Sequence, residues 1–253
     1  MAPCVRAMQQ KRRQRASLGS KYPKGDLTSF FLTLAARGYE PRHILDVGAN
    51  MGKWSRDAHR IFPKCRFTLL EPQVEMKPHL DKFCRRCPQA RWILGGAGDF
   101  TGQQTFTVEP TSFSSSFATT AEEAAEHGYE QRVVPIYTLD YLVARQIGET
   151  PDIVKIDAEG YESRIIQGAR TLLGRAELIL LEAHFWDERD NPSSFISLVN
   201  LMDQHDYVPY DFTWFGKRQH DGAVGLCEIA FARRHGVLRQ HQGWSAPIEA
   251  RAA

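Results

Sequence analysis

The sequence predicts an α/β fold, a mostly parallel sheet with helices on both faces, and three observations lead there. Apolar strand-like runs alternate with amphipathic helix-like stretches along most of the chain. The first run, in "HILDVGANMGKW", breaks at a glycine-punctuated turn and continues as a helix through Trp54, Ala58 and Ile61. At 253 residues with 42% hydrophobic side chains, the chain can bury one sizeable core, and no repeat or linker divides it.

Taken in order, strands are expected at 43–47, 66–71, 91–94, 153–157, 178–182, 207–212 and 226–232. Between the third and fourth, "QQTFTVEPTSFSSSFATT" alternates and carries turn residues, which predicts an inserted β-hairpin or active-site loop. "RVVPIYTLDYLVARQ" adds a short strand and a helix. The connection "FGKRQHDG" between the last two strands is too short and polar for a crossover helix, so those strands should pair antiparallel at the sheet end.

The flanks read differently. Residues 1–25 form a basic arm around "KRRQR", residues 26–235 a single domain, and residues 236–253 a tail. The N-terminus lacks the apolar stretch of a secretory signal, and no run of about 18 apolar residues occurs, so a soluble cytoplasmic protein without membrane contact is expected. Five cysteines without framework spacing fit reduced thiols, and the lone Cys84-x-x-Cys87 reads as the cap of a surface helix. A net charge of +2 is too mild to imply nucleic acid as a partner.

The glycine turn is where backbone approaches a ligand at the carboxyl end of a parallel strand. A pyrophosphate fingerprint would need glycine at 48, 50 and 53, where the chain has Gly48, Asn50 and Lys53. Glu71, ending the second strand in "FTLLEP", is placed to accept hydrogen bonds from ribose hydroxyls. With Asp46 at the first strand's end, the pair favours a cationic nucleoside without phosphates. The fourth strand carries the densest chemistry, "DIVKIDAEGYESRIIQGARTLL". Lys155 and Asp157 share a face, Glu159 follows at the cleft, and Gly160 permits a sharp turn into a helix expected through Leu173. Buried charges at such a strand are costly unless paired or used.

In this order and at these separations, "ILDVGANMGKWS", "FTLLEP", "TLDYL", "VKIDAEGYE…IIQGARTLL" and "LILLEAHF" resemble the FkbM-type family of S-adenosylmethionine-dependent methyltransferases. The resemblance covers about residues 41–186 and implies a class I methyltransferase fold, a Rossmann-like three-layer sandwich with a seven-stranded sheet whose last strand is antiparallel. It implies O-methylation of a hydroxyl, often on a sugar or small metabolite. On that pattern Gly48, Ala49, Asn50 and Gly52 line the methionine side of S-adenosyl-L-methionine and Glu71 its ribose, with Asp46, Pro72, Ala97 and Asp157 completing the cofactor set. "GGAGDFTG" departs from the family's adenine-side loop at Gly98.

A neutral hydroxyl is a poor nucleophile, so a base is expected. His184, just past the fifth strand, is the first candidate, with Asp157 or Glu159 as orienting or proton-accepting carboxylate and Lys155 as a charge stabiliser. Asp157, Glu159, Glu182 and His184 could instead converge on a divalent cation, the less favoured reading. Trp186, Trp214, Phe212 and Phe215 are expected mainly in the core, with stacking on a sugar or flat acceptor as the alternative. Two other classes stay open, a nucleic-acid methyltransferase and a non-catalytic methyltransferase-like nucleoside-binding protein.

Overall fold

The structure, a computed structural model, describes residues 23–110, 114–186 and 192–241. The basic run at 11–15, Cys4, part of the serine-rich loop and most of the expected tail lie outside those residues. A seven-stranded sheet is built from β1 (His43–Val47), β2 (Arg66–Glu71), β3 (Ala90–Leu94), β7 (Ile153–Ile156), β8 (Leu178–His184), β9 (Tyr207–Lys217) and β10 (Val224–Arg233), in the order β3-β2-β1-β7-β8-β10-β9. Pairs among β1, β2, β3, β7 and β8 are parallel, whereas β10 runs antiparallel to both neighbours, as the resemblance implies. β1 and β7 are buried over their whole length, which explains their unbroken apolar runs.

Helices cover both faces. On one lie α1 (Leu27–Ala36), α2 (Lys53–Ile61) and α3 (Lys77–Arg86), whose core includes Phe31, Ile44, Phe67, Leu69 and Leu80. Asp26 caps α1 by accepting from the Ser29 N–H at 2.7 Å. Cys87 is the residue that ends α3, matching its expected cap role. On the other face lie α5 (Leu139–Leu142), α6 (Glu162–Gln167) and α7 (Phe195–Gln204), packed over Val154, Ile165, Ile179 and Leu198. Among the described residues no helix is long and apolar enough to cross a membrane.

Two expectations need correction. The stretch after β3 is only in part its own hairpin: Thr107 and Ser116 bridge antiparallel through two backbone hydrogen bonds of 2.9 and 3.0 Å, but the main partner of β5 (Gly102–Val108) is β6 (Glu130–Tyr137), which also takes β4 (Gly96–Ala97) in parallel to make a second, three-stranded sheet. Between β5 and β6 stands α4 (Ala121–His127), started by a capping box between Thr120 and Glu123. The helix after β7 stops at Gln167 rather than Leu173. The Asp140 N–H donates to the Gly168 carbonyl at 3.1 Å, and the Asp140 carboxylate accepts from the Thr171 and Leu172 N–H groups at 2.9 and 3.0 Å, taking the groups a longer helix would pair. Gly168 also lies so close to Gly98 that a Cβ would stand 2.1 Å from its carbonyl oxygen. Ala169 and Leu172 are still buried, in turns rather than in helix. Beyond β10, Leu238 is buried and its N–H donates to Glu177 Oε1 at 2.8 Å.

Candidate active site

The carboxyl ends of β1, β7 and β8 meet at one edge of the sheet, and most of the charged residues singled out above converge there. The turn after β1 is anchored from beneath, with Gly48 and Ala49 both donating to the Leu70 carbonyl at 3.0 and 3.1 Å. Gly48 has φ +72°, and a Cβ on it would sit 1.8 Å from the Asp157 carbonyl oxygen. Its close approach is therefore to the backbone that follows β7. Asn50 has φ +46°, uncommon for a residue with a side chain, and this aims its N–H at Glu71 Oε2, 2.6 Å away. Gln73 N–H donates to the other oxygen at 2.9 Å. Burial pushes the Glu71 carboxyl up to about 7 against these two hydrogen bonds.

Glu71, Pro72 and Ala97 line an inner cavity closed by Phe106 and Phe117. A wider cavity of about 550 Å³ adjoins it and shares Gly48, Asn50 and Asp157; Ala49, Trp54 and Lys155 line its walls. Gly52 and Asp46 line neither. Gly52, at φ +68°, starts α2 and its Cβ position faces Leu80 at 3.3 Å. Asp46 is wholly buried, its Oδ2 accepting from Ser55 Oγ at 2.6 Å.

Lys155 is only 3% exposed. Its Nζ stands 3.0 Å from Asp157 Oδ2 and 3.5 Å from Asp46 Oδ1, and donates to the Gly48 carbonyl at 3.2 Å. Burial alone lowers its pKa, but Asp157 and Asp46 raise it beyond the ordinary lysine range, so it stays a cation that ties the two strand ends together. The antiparallel register sets Glu228 of β10 opposite Glu182 of β8, a like-charge pair that is unfavourable if both ionise. Glu228 accepts from Trp54 Nε1 at 3.2 Å and from the Thr213 hydroxyl, and burial raises its pKa against the pull of Lys155.

Carboxylate oxygens of Asp157, Glu159 and Glu182 lie within 4.8 Å of one another. Burial, followed by the charge of Asp157, pushes Glu159 up to about 8 and Glu182 up to about 10. Glu182 Oε2 is buried with no hydrogen-bond partner among the described residues. Glu159 holds φ +51°, a strained backbone for a non-glycine residue, and its surroundings fix it. Ser116 Oγ donates to its carbonyl at 2.8 Å, and Glu162 Oε1 accepts from the Ala158 N–H at 2.9 Å. His184, two residues past Glu182, is outside this group; it lines a separate outer groove with Trp186 and Trp214. Of the four aromatics expected in the core, Phe212 packs against it, whereas Trp186, Trp214 and Phe215 line this groove, with Trp186 50% and Trp214 46% exposed.

A profile of the FkbM methyltransferase domain matches residues 46–209, from the end of β1 into β9. The chain belongs to the FkbM methyltransferase family. The family is one of methyltransferases, and its class I fold implies S-adenosylmethionine binding. No curated protein matches the chain significantly. Among solved structures, it is similar to the methyltransferase FkbM from Methylobacillus flagellatus KT at 14% identity and a TM-score of 0.48, over 88% of this chain and 59% of that one. A putative O-methyltransferase from Klebsiella pneumoniae is similar at 11% identity and a TM-score of 0.46, over 92% and 91% of the two chains. The Burkholderia thailandensis 1,6-didemethyltoxoflavin-N1-methyltransferase with bound S-adenosylhomocysteine follows at 12% identity and 0.44, over 92% and 91%. The chain thus spans 59% of the length of the Methylobacillus FkbM protein.

For this FkbM domain, sequence reasoning missed Glu228, Thr213 and the strained backbone at Asn50 and Glu159, whereas Phe117 lies in the stretch expected as an active-site loop and lines the inner cavity. Glu228 had a signal, as a lone acid inside the apolar run "LCEIAFA". The two positive φ angles had none, since nothing in a residue's type announces that neighbouring loops will hold it there.

Proposed function

We propose that the protein is an S-adenosylmethionine-dependent O-methyltransferase acting on a hydroxyl of a sugar or other small acceptor. The observation that carries the reading is the carboxylate group at the ends of β7 and β8, beside the cofactor turn, in which Glu159 ionises near neutral pH. A hydroxyl must lose its proton as it is methylated, and an acid poised near the working pH is the group suited to take it. The residues also fit the cofactor. Asp46 and Asp157 outnumber the one buried cation, Lys155, and Glu159, Glu182 and Glu228 beside them add negative charge as pH rises, leaving a cleft suited to a positively charged ligand.

When bound, S-adenosylmethionine supplies a methyl group on a positively charged sulfur. The chain's part is alignment and proton handling. Gly48, Asn50 and Glu71 shape the nucleoside side of the cleft, and Lys155 holds the strand ends that carry Asp157 in fixed register. The acceptor hydroxyl gives its proton to the carboxylate group as its oxygen takes the methyl, with Glu159 the member that receives it. Holding both partners in line contributes at most about 7–11 kcal/mol. His184, in the outer groove, acts in this reading on the acceptor rather than on the proton.

A second reading puts a divalent cation on Asp157, Glu159 and Glu182, and the buried, unpartnered Glu182 oxygen favours it. A nucleic-acid acceptor would set its phosphates beside Asp46 and Asp157, two acids that the single Lys155 offsets only in part, which disfavours it. Free Cys65, Cys84, Cys87 and Cys227 support a reducing, cytoplasmic setting. The test is methyl release from labelled cofactor against a panel of monosaccharides and small hydroxylated compounds, with the product located by mass spectrometry. Methyl on oxygen, lost in Glu159→Gln and indifferent to chelator, supports the base. Activity abolished by EDTA and restored by Mg²⁺ supports the cation. Methyl found only on nitrogen overturns O-methylation.

A further inference from the structure

The outer groove holds a platform that the proposed chemistry does not use. On β9, Trp214 and Gly216 share a face, and the outer edge of the Trp214 ring reaches over Gly216, where a Cβ would come within 2.6 Å of it. Across the hairpin, Gly225 leaves room for Arg218, whose Cγ would lie 3.0 Å from a Cβ at that position. Arg218 in turn stacks its guanidinium 4.1 Å over the Trp186 ring, and Trp186 is fixed by donating its Nε1–H to the Val224 carbonyl at 2.7 Å. Two glycines thus make space for two flat groups, and a hydrogen bond orients the third. Phe215, also lining the groove, is 39% exposed, so three aromatic side chains face solvent there.

We propose that this groove is an outer acceptor subsite that binds a neutral oligosaccharide of two or more units, so that the methylated sugar is one residue of a chain. The proposal rests on the acceptor reading above. Trp214 borders both the groove and the cleft that contains Lys155 and Asp157, so one ligand can reach from the carboxylates to Trp186. The groove, at about 930 Å³, is as large as a pocket for a complete small-molecule ligand, although the chemistry lies in the neighbouring cavity. Trp214 and Trp186 offer apolar faces to the C–H faces of sugar rings, while Glu123, His184 and Lys217 along the rim supply acceptors and donors suited to hydroxyls. Phosphodiester chains also stack on aromatics, and Lys217 and Arg218 outnumber Glu123 in the groove, so it is the acids at the inner end that favour a neutral chain, with the RNA arm of the test as the necessary control.

The test titrates the full chain, with and without saturating S-adenosylhomocysteine, with linear neutral gluco-, manno-, galacto- and N-acetylglucosamine-based oligosaccharides of one to six units, read by tryptophan fluorescence and calorimetry. For at least one series, affinity should rise tenfold or more between one unit and three. Trp186→Ala should remove that gain while leaving S-adenosylhomocysteine affinity unchanged, and Gly216→Val, which lifts the Trp214 ring, should remove it too. Flat affinity across every series, a gain that survives Trp186→Ala, or a decauridylate RNA that binds more tightly than any oligosaccharide in a Trp186-dependent way would each overturn the proposal. Failure of the wild type to bind S-adenosylhomocysteine would sink the cofactor reading instead, and the length dependence measured without it stands apart.

Discussion

At the scale of single residues, Glu159 combines a strained backbone with a displaced acidity. Its folded pKa of about 8 lies well above the ordinary carboxylate value because burial and the charge of Asp157 disfavour the ion. For an acid shifted upward, the folded state holds its proton longer than the unfolded chain. Between about 4.5 and 8 the folded protein therefore binds more protons, and stability falls as pH rises through that window. Glu159→Gln should flatten that part of a urea-midpoint profile. If Glu159 takes the proton, kcat should climb with pH along a limb centred near 8, and Glu159→Gln should erase the limb and lower kcat by about 10²–10⁴. A limb that persists in the variant would assign the proton elsewhere, with His184→Ala the next profile to record. Gly48 behaves differently. Because its Cβ position is occupied by the Asp157 carbonyl, Gly48→Val should both weaken S-adenosylhomocysteine binding and cost roughly 1–3 kcal/mol of stability from the positive φ alone, read by calorimetry and urea melts. Lost binding with unchanged stability would mean the turn contacts ligand rather than β7.

At the scale of elements, the parallel strands and the glycine turn were legible because burial on both faces writes itself as uninterrupted apolar runs; β1 and β2 fall where the residues place them. The small sheet was not legible. β5 finds its partner across an intervening helix, and alternation in "QQTFTVE" says that a strand exists without saying which strand it pairs with. The early end of α6 was hidden for a related reason: Ile165, Ile166, Ala169 and Leu172 keep helical spacing, but the contacts at its end come from elsewhere in the chain, hydrogen bonds from Asp140 and close packing from Gly98. This gives a steric prediction free of backbone strain, since Gly168 has φ −86°. Gly168→Ala sets a methyl group 2.1 Å from the Gly98 oxygen and should destabilise by about 1–3 kcal/mol or more, as overpacking does. A urea melt with an unmoved midpoint would show that the two segments part without cost and are not what ends α6.

At the scale of the whole molecule, two cores on opposite faces of the sheet fix the strands, and the acidic cleft sits where their carboxyl ends emerge. The site was legible in the parts carried by residue type at a strand end, such as Glu71, Lys155 and Asp157. The gathering of Glu228 with them depends on β10 entering the sheet beside β8, which is a property of topology. That gathering sets a measurable consequence for ligand charge. S-adenosylmethionine and S-adenosylhomocysteine differ by one methyl group and one positive charge on sulfur, so the ratio of their affinities isolates the cleft's response to that charge. Glu71 at about 7 and Glu159 at about 8 ionise as pH rises from 6 to 9, making the cleft more negative. The affinity of S-adenosylmethionine relative to S-adenosylhomocysteine should therefore rise over that interval, with little dependence on salt, because screening acts mainly on exposed charges and Glu71 and Glu159 are shielded by burial. Paired calorimetric titrations at several pH values measure it directly, with terms common to both ligands cancelling. A ratio that stayed flat, or fell, would mean that the carboxylates keep their protons when the ligand binds, and the acidic cleft would then have no part in selecting the cationic cofactor.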